Sequence, residues 1–194
     1  MLELDNNFEE ETTQGQNLTE TGVYDVKLVR TGFKVNKTGS RSLIITLDGG
    51  GKYPNTFYQG VYLKADGSAG FEFNKLLKPL AFLSKVKALI DGKETVETKN
   101  GNIEVDVIEG IKDIDLKVAI QRQWNDYMKR YDPIIVKVFH SDGRTPGEIT
   151  KGIKEPKQIQ YFLSDKFKDK EPEGGTKTKA PEINVDFDEE FGEF

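Results

Sequence analysis

The chain has 194 residues, room for one ordinary domain with tails, and carries 28 Lys and Arg against 33 Asp and Glu for a formal net charge of -5. With no Cys and one His, it excludes disulfides, zinc ribbons, Cys nucleophiles, His-based triads and multi-His metal sites, so a binding role moves ahead of most enzyme classes. No apolar run approaches the roughly 18 residues that span a bilayer, which argues against a membrane partner. The first residues lack the basic and apolar parts of a signal peptide, and a Cys-free chain suits a reducing cytoplasm, the expected location (the host cytoplasm if the protein is viral).

Taken in chain order, residues 1–21 read as an acidic arm holding Glu3, Asp5, Glu9, Glu10, Glu11 and Glu20 and no base. Val23 to Thr31 is predicted as a strand, with Tyr24, Val26 and Leu28 on one face and Asp25 and Lys27 on the other. Gly32 to Arg41 reads as a turn-rich basic loop. Ser42 to Leu47 is a second strand with Leu43, Ile45 and Leu47 inward, and the glycines in Asp48 to Lys52 signal a hairpin. Asn55 to Leu63 is a third strand, with Phe57, Gln59 and Val61 on one face and Tyr58, Gly60 and Tyr62 on the other. Phe82, Leu83, Val86, Leu89 and Ile90 recur at helical spacing, so a helix is expected from a first turn at Pro79 to a stop at Gly92. Residues 91–102 read as a polar loop, Asn102 to Ile108 as a short strand, Leu116 to Trp124 and Ile134 to Phe139 as further strands, and 141–158 as a long loop. Tyr161, Phe162 and Phe167 anchor a short closing segment. Residues 168–181 form a linker, and 182–194 a disordered acidic tail with Glu182, Asp186, Asp188, Glu189, Glu190 and Glu193 and no base. The body between the two acidic ends is therefore net basic.

The predicted order, three strands, a helix, then two or more strands, makes the chain mainly β. It matches a five-stranded barrel of the oligonucleotide/oligosaccharide-binding kind (OB-fold) over 22–167, with its helix between strands 3 and 4. Other small α+β domains share this order.

The chemistry lies in aromatic rings interleaved with bases. One cluster is Lys52, Tyr53, Phe57, Tyr58, Tyr62 and Lys64; the other is Arg122, Trp124, Tyr127, Lys129, Arg130 and Tyr131. Single-stranded nucleic acid needs both elements, because bases stack on rings for about 1–3 kcal/mol each while cations follow the phosphates. Tyr53, Tyr58, Tyr62, Trp124 and Tyr127 are the candidate stacking rings, and Lys34, Lys37, Arg41, Arg122, Lys129 and Arg130 the candidate phosphate contacts. Phe57 and Phe139 are read as core. In the tail, Asp186, Phe187, Asp188, Glu189, Glu190, Phe191, Glu193 and Phe194 alternate acids with phenylalanines, a pattern that solubility does not require and that fits docking to a protein partner.

An acidic tail ending in Phe behind a basic β-barrel resembles single-stranded DNA-binding proteins, particularly those of tailed phages. The start Gly22-x-Tyr24-x-Val26, the Thr38-Gly39-Ser40 run before an apolar strand, and the Phe71 to Leu83 segment are similar to one such phage family over roughly 22–140. Glu193 departs from the bacterial tail, where a Pro usually precedes the final Phe. The resemblance implies an OB-fold, no catalysis and no cofactor. It also implies that Phe191, Phe194 and the acids between them contact replication or recombination proteins. A homodimer stays open. Two other readings remain: an adaptor whose barrel binds protein, and a metal-dependent nuclease built on Asp106, Asp113, Asp115 and Lys117. Gly49 to Lys52 is not a phosphate loop, since Tyr53 replaces the required Ser or Thr. His140 has no second ligand.

Overall fold

A computed structural model describes residues 18–98 and 101–172. Residues 1–17 of the acidic arm and the whole 182–194 tail lie outside the described residues. Strands hold 47% of the chain against 14% in helix, so the protein is mainly β, and its seven antiparallel strands form one sheet that is not closed. They are β1 (Gly22–Val35), β2 (Arg41–Asp48), β3 (Asn55–Leu63), β4 (Asp91–Thr98), β5 (Gly101–Ile108), β6 (Ile114–Asn125) and β7 (Arg130–His140). A π-helical turn, Phe73–Leu77, runs into α1 (Lys78–Leu83) between β3 and β4. The short helices α2 (Pro146–Thr150) and α3 (Ile159–Phe162) follow β7. The helix thus falls after the third strand as expected, and the architecture is consistent with an OB-like fold. Seven strands are present where the expected barrel has five: the sequence reading already placed six, and the seventh is 91–98, which is not a loop but pairs with 101–108 as a two-stranded hairpin.

β1 organises the sheet. Its first half, Gly22 to Leu28, pairs with β6, while Lys27 to Val35 pairs with β2, and Gly32 meets Val107 of β5. The β1–β2 register slips between Leu28 and Arg30. That extra residue, a β-bulge, exchanges the faces of the strand. Val26 and Leu28 are buried before it, Thr31 and Phe33 after it. The sequence reading ended this strand at Thr31 because the alternation breaks there and Gly32 follows. The strand instead continues four residues, with Gly32 at a close approach: a Cβ there would stand 2.7 Å from the Asp106 carbonyl oxygen.

The main core lies inside the curled sheet, where Leu28, Leu43, Ile45, Leu47, Leu116, Val118 and Ile120 meet Leu76, Leu77 and Leu80 of the helical segment. A smaller core covers the other face of β6 and β7, joining Ala119 and Phe139 to Ile159 and Phe167. Phe162 packs edge-on against both Phe139 and Phe167, so the expected closing segment is in place. Phe57 and Phe139 are core as read.

Other boundaries also differ from the sequence reading. The helix stops at Leu83, not near Gly92. Lys85 takes a left-handed φ of 59°, Val86 N–H donates to the Ala81 carbonyl and Lys85 N–H to that of Phe82. This is a Schellman stop carried by Lys where Gly is usual, so nothing in composition announces it. Secondly, the 141–158 stretch holds α2, capped reciprocally by Thr145 and Glu148. Thirdly, residues 168–170 are not linker but line the end of β6: Lys170 N–H donates to the Arg122 carbonyl at 2.8 Å, and Trp124 N–H to that of Lys170 at 3.1 Å.

The turn after β7 is fixed by carboxylates. Asp142 accepts from Arg144 Nε at 2.9 Å and Nη2 at 2.7 Å, and these bonds hold its pKa down to about 2 from 3.8. Burial pushes the Glu148 carboxyl up, but donors from Thr145, Gln158 and Lys157 outweigh it and the net pKa is lowered. A carboxylate whose folded pKa is depressed stabilises the fold above its unfolded pKa and loses that contribution as pH falls through the folded one. We therefore expect Asp142→Asn to be less stable than wild type at neutral pH, with the gap shrinking between about pH 4 and 2. Denaturant midpoints measured across that range check this, and a gap independent of pH would refute it.

Candidate nucleic-acid interface

The bulge in β1 and the alternation of β2 and β3 turn one set of side chains away from the core. Arg30, Gly32 and Lys34 of β1, Ile44 and Thr46 of β2, and Thr56 and Tyr58 of β3 line a cleft of about 760 Å³, together with Tyr53 and Pro54 from the β2–β3 turn. The β4–β5 hairpin forms its opposite wall with Val96, Ile103 and Val105, and adds Glu97, Glu104 and Asp106. The cleft is therefore cationic along β1 and acidic along the hairpin. In OB-folds the strand 2–3 face and the loops joining strands 1–2 and 4–5 receive oligonucleotides. Here the first two correspond to this face and the β1–β2 turn, and the β6–β7 turn takes the place of the last.

The cleft does not end at β3. Tyr58 also lines a second depression of about 370 Å³ in the seam between β3 and β7, with Gln59, Gly60, Phe71, Glu72, Lys75, Gln123, Ile134, Val136 and Lys170. Gln123 and Lys170 in turn line a third, of about 310 Å³, with Trp124, Asp126, Glu171 and Pro172. Adjacent depressions share lining residues, Tyr58 for the first two and Gln123 and Lys170 for the last two, so together they trace a track from the outer face of β1 and β2, across β3, to the end of β6. It joins the two aromatic and basic clusters, which lie some 60 residues apart in sequence.

Most of the candidate rings stand on this track. Tyr53 and Tyr58 are exposed, Tyr58 by 75%, and Lys52 sits over the Tyr53 ring. Tyr127, 92% exposed, occupies the tip of the β6–β7 turn. Trp124 is half-buried, edge-on to Tyr131, and its indole N–H donates to Asp126 at 2.9 Å. Tyr62 is a correction. It is only 3% exposed and packs edge-on against Phe33 inside the core. The β2–β3 register slips twice opposite Ser42, and the extra residues on β3 turn Tyr62 inward although strict alternation puts it beside Tyr58. Burial raises its pKa, against an opposing hydrogen bond from Arg41.

The candidate cations divide into two kinds. Lys34 and Lys37 are exposed, with no acidic partner among the described residues. The others are paired: Arg41 with Asp91 at 2.6 Å while lying over the Phe33 ring, Arg122 with Glu20 and Asp169 and over Tyr131, Lys129 with Asp126, and Arg130 with Asp132. An exposed pair such as Lys129–Asp126 contributes about 0–1 kcal/mol, so a phosphate can take the acid's place at little cost, whereas Arg41 and Arg122 are half-buried and held more firmly. The tail residues Asp186 to Phe194 lie outside the described residues.

Sequence reasoning missed Arg30, Gln59, Phe71 and Glu72 as lining residues. Gln59 carried a signal, since it is a polar residue at an inward position between Phe57 and Val61. The carboxylates of the nuclease reading do not form a group. Asp106 is on β5, Asp113 pairs with Lys27, and Lys117 is taken by Asp25; among the described residues no three His, Asp or Glu side chains could hold a metal ion together. No helix among them is long and apolar enough to cross a membrane. No protein-family model matches the chain, and no curated protein matches it significantly.

The division between core and surface rings is measurable. Tyr62→Ala should destabilise the fold by about 3 kcal/mol, as a buried aromatic truncation does, whereas Tyr58→Ala should stay within about 0.5 kcal/mol of wild type. Urea unfolding of the two variants checks it, and equal costs would mean that the faces of β3 are misassigned.

Proposed function

We propose that the protein coats and protects single-stranded DNA with little overall sequence preference, in the manner of the phage single-stranded DNA-binding proteins its sequence resembles, and that the 182–194 tail recruits replication or recombination proteins. The observation that carries this reading is the track itself. An unpaired strand needs ring faces for its bases and cations for its phosphates along one continuous path. Tyr53, Tyr58 and Trp124 stand along one such path, Tyr127 stands at its far turn, and Lys34 and Lys37 flank its near end. Duplex DNA hides its base faces, so exposed rings favour the unpaired form. On this reading phosphates follow the β1 side of the cleft and avoid the acidic hairpin, and the site of action is the cytoplasm. The acids of 182–194 are of the right sign to compete with phosphates for the two basic turns, and so to screen the track when it is empty.

Titration of a labelled 30-mer in single- and double-stranded form, at two salt concentrations, tests the proposal. Affinity for the single strand should fall steeply with salt and exceed that for the duplex. Tyr53→Ala and Tyr58→Ala should each weaken oligo(dT) binding by about 1–3 kcal/mol. Removing 182–194 should tighten DNA binding and abolish partner binding. Salt-insensitive or absent oligonucleotide binding would favour the protein-binding adaptor instead.

A further inference from the structure

We propose that the β4–β5 hairpin is the second jaw of the cleft: its apolar row, Val96, Ile103 and Val105, packs against the bases that Tyr53 and Tyr58 hold from the other side. The inference rests on the single-stranded DNA reading and gives base contact to a hairpin that lies outside both aromatic and basic clusters.

The hairpin register settles which side chains share a face. Glu94 stands opposite Val105 and Val96 opposite Ile103, so these four lie on one face, while Glu97, Glu104 and Asp106 belong to the other. Glu94 pairs at 3.9 Å with Arg30, a residue of the β1 wall, so the face it shares with the apolar row is the one turned toward β1. The hairpin meets β1 at one registered pair, Gly32 with Val107, where a Cβ on Gly32 would stand 2.7 Å from the Asp106 carbonyl oxygen. From that close contact toward its tip the hairpin parts from β1, and the gap is the cleft of about 760 Å³. Val96, Ile103 and Val105 line it together with Ile44, Tyr53 and Tyr58. None of the three belongs to either hydrophobic core, and Ile103 is 48% exposed. Such a row gives little to the fold and gains free energy only when an apolar surface covers it.

Charge and shape select the occupant. Lys34 on the β1 wall calls for an anion, and the exposed rings of Tyr53 and Tyr58 call for a flat π-face. An unpaired nucleotide supplies both, with its phosphate at one end and its base at the other. Once the phosphate lies along β1 and one face of the base lies on a tyrosine ring, the opposite face is still wet. Aliphatic side chains on the facing wall cover it without competing for any hydrogen bond. They touch the face of the base and not its edge, so the grip adds affinity and no sequence preference.

The test uses the full chain and fluorescence anisotropy of labelled dT12 beside an abasic strand of equal length, over a range of salt. Ile103→Thr keeps a β-branched side chain at an exposed strand position and should leave Tm unchanged. It should weaken dT12 binding about fivefold, since only the exposed half of the isoleucine is there to be covered. The slope of log affinity against log salt should not move, whereas Lys34→Ala should lower it by about one. On the abasic strand Ile103→Thr should bind as the wild type does. Combined with Tyr58→Ala it should cost less than the sum of the two, because a base that has lost its ring is no longer held against the hairpin. An equal loss on the abasic strand, a changed salt slope or full additivity would overturn the jaw. So would dT12 affinity that Ile103→Thr leaves untouched, and in each of these cases the single-stranded DNA reading stands as long as wild-type dT12 binding is salt-dependent. Failure of the wild type to bind dT12 would sink that reading and this inference with it.

Discussion

The close approach of β1 to three partners governs the rest of the molecule. One strand of 14 residues must give its first half to β6 and its second half to β2, and must still let β5 touch it at Gly32. Along the way a bulge between Leu28 and Arg30 changes which face of the strand points inward. The slip at Leu28 to Arg30 turns Phe33 into the core and leaves Arg30 and Lys34 on the outer face. Both the hydrophobic interior and the cationic side of the cleft follow from that single irregularity.

The same curl brings β3 toward β7 without a ladder between them. A closed barrel would cover the edges of both strands with hydrogen bonds. Here the edges stay apart, and polar side chains and exposed rings occupy the gap: Gln59, Glu72 and Gln123 within, Tyr58 and Phe71 at the rim. The seam is also what makes the track continuous, since it links the cleft on the β2–β3 face to the depression beside Trp124. Incomplete closure and the run of adjacent depressions are thus one feature.

Charge adds a second layer. Exposed acids accompany almost every base near the β6–β7 turn, whereas Lys34 and Lys37 by the β1–β2 turn form no ion pair among the described residues. An incoming polyanion would meet the β1–β2 turn first and would displace the weak pairs Lys129–Asp126 and Arg130–Asp132 afterwards. On the single-stranded DNA reading, the acidic hairpin wall would orient the strand by exclusion, keeping phosphates on the β1 side.

Much of the body could be read from residue patterns. Alternation placed β2, β6 and β7, the inward faces of Val26, Leu28, Phe57 and Leu116, and the helical segment after β3, because side-chain period and burial are local properties of a strand or helix. The two aromatic and basic clusters were visible for the same reason: they are contiguous in sequence. The stop at Lys85 was not, since a left-handed Lys leaves no compositional mark, nor was β4, whose polar alternation Lys93, Thr95 and Glu97 becomes a strand only through its pairing with β5. Bulges decided the rest. They shift parity, so Tyr62 went to the core while Tyr58 stayed outside, and no count of positions along β3 distinguishes the two. That the clusters share one track, and that Gln59 and Glu72 meet in an unclosed seam, depended on contacts between strands distant in the chain, which only the folded arrangement supplies.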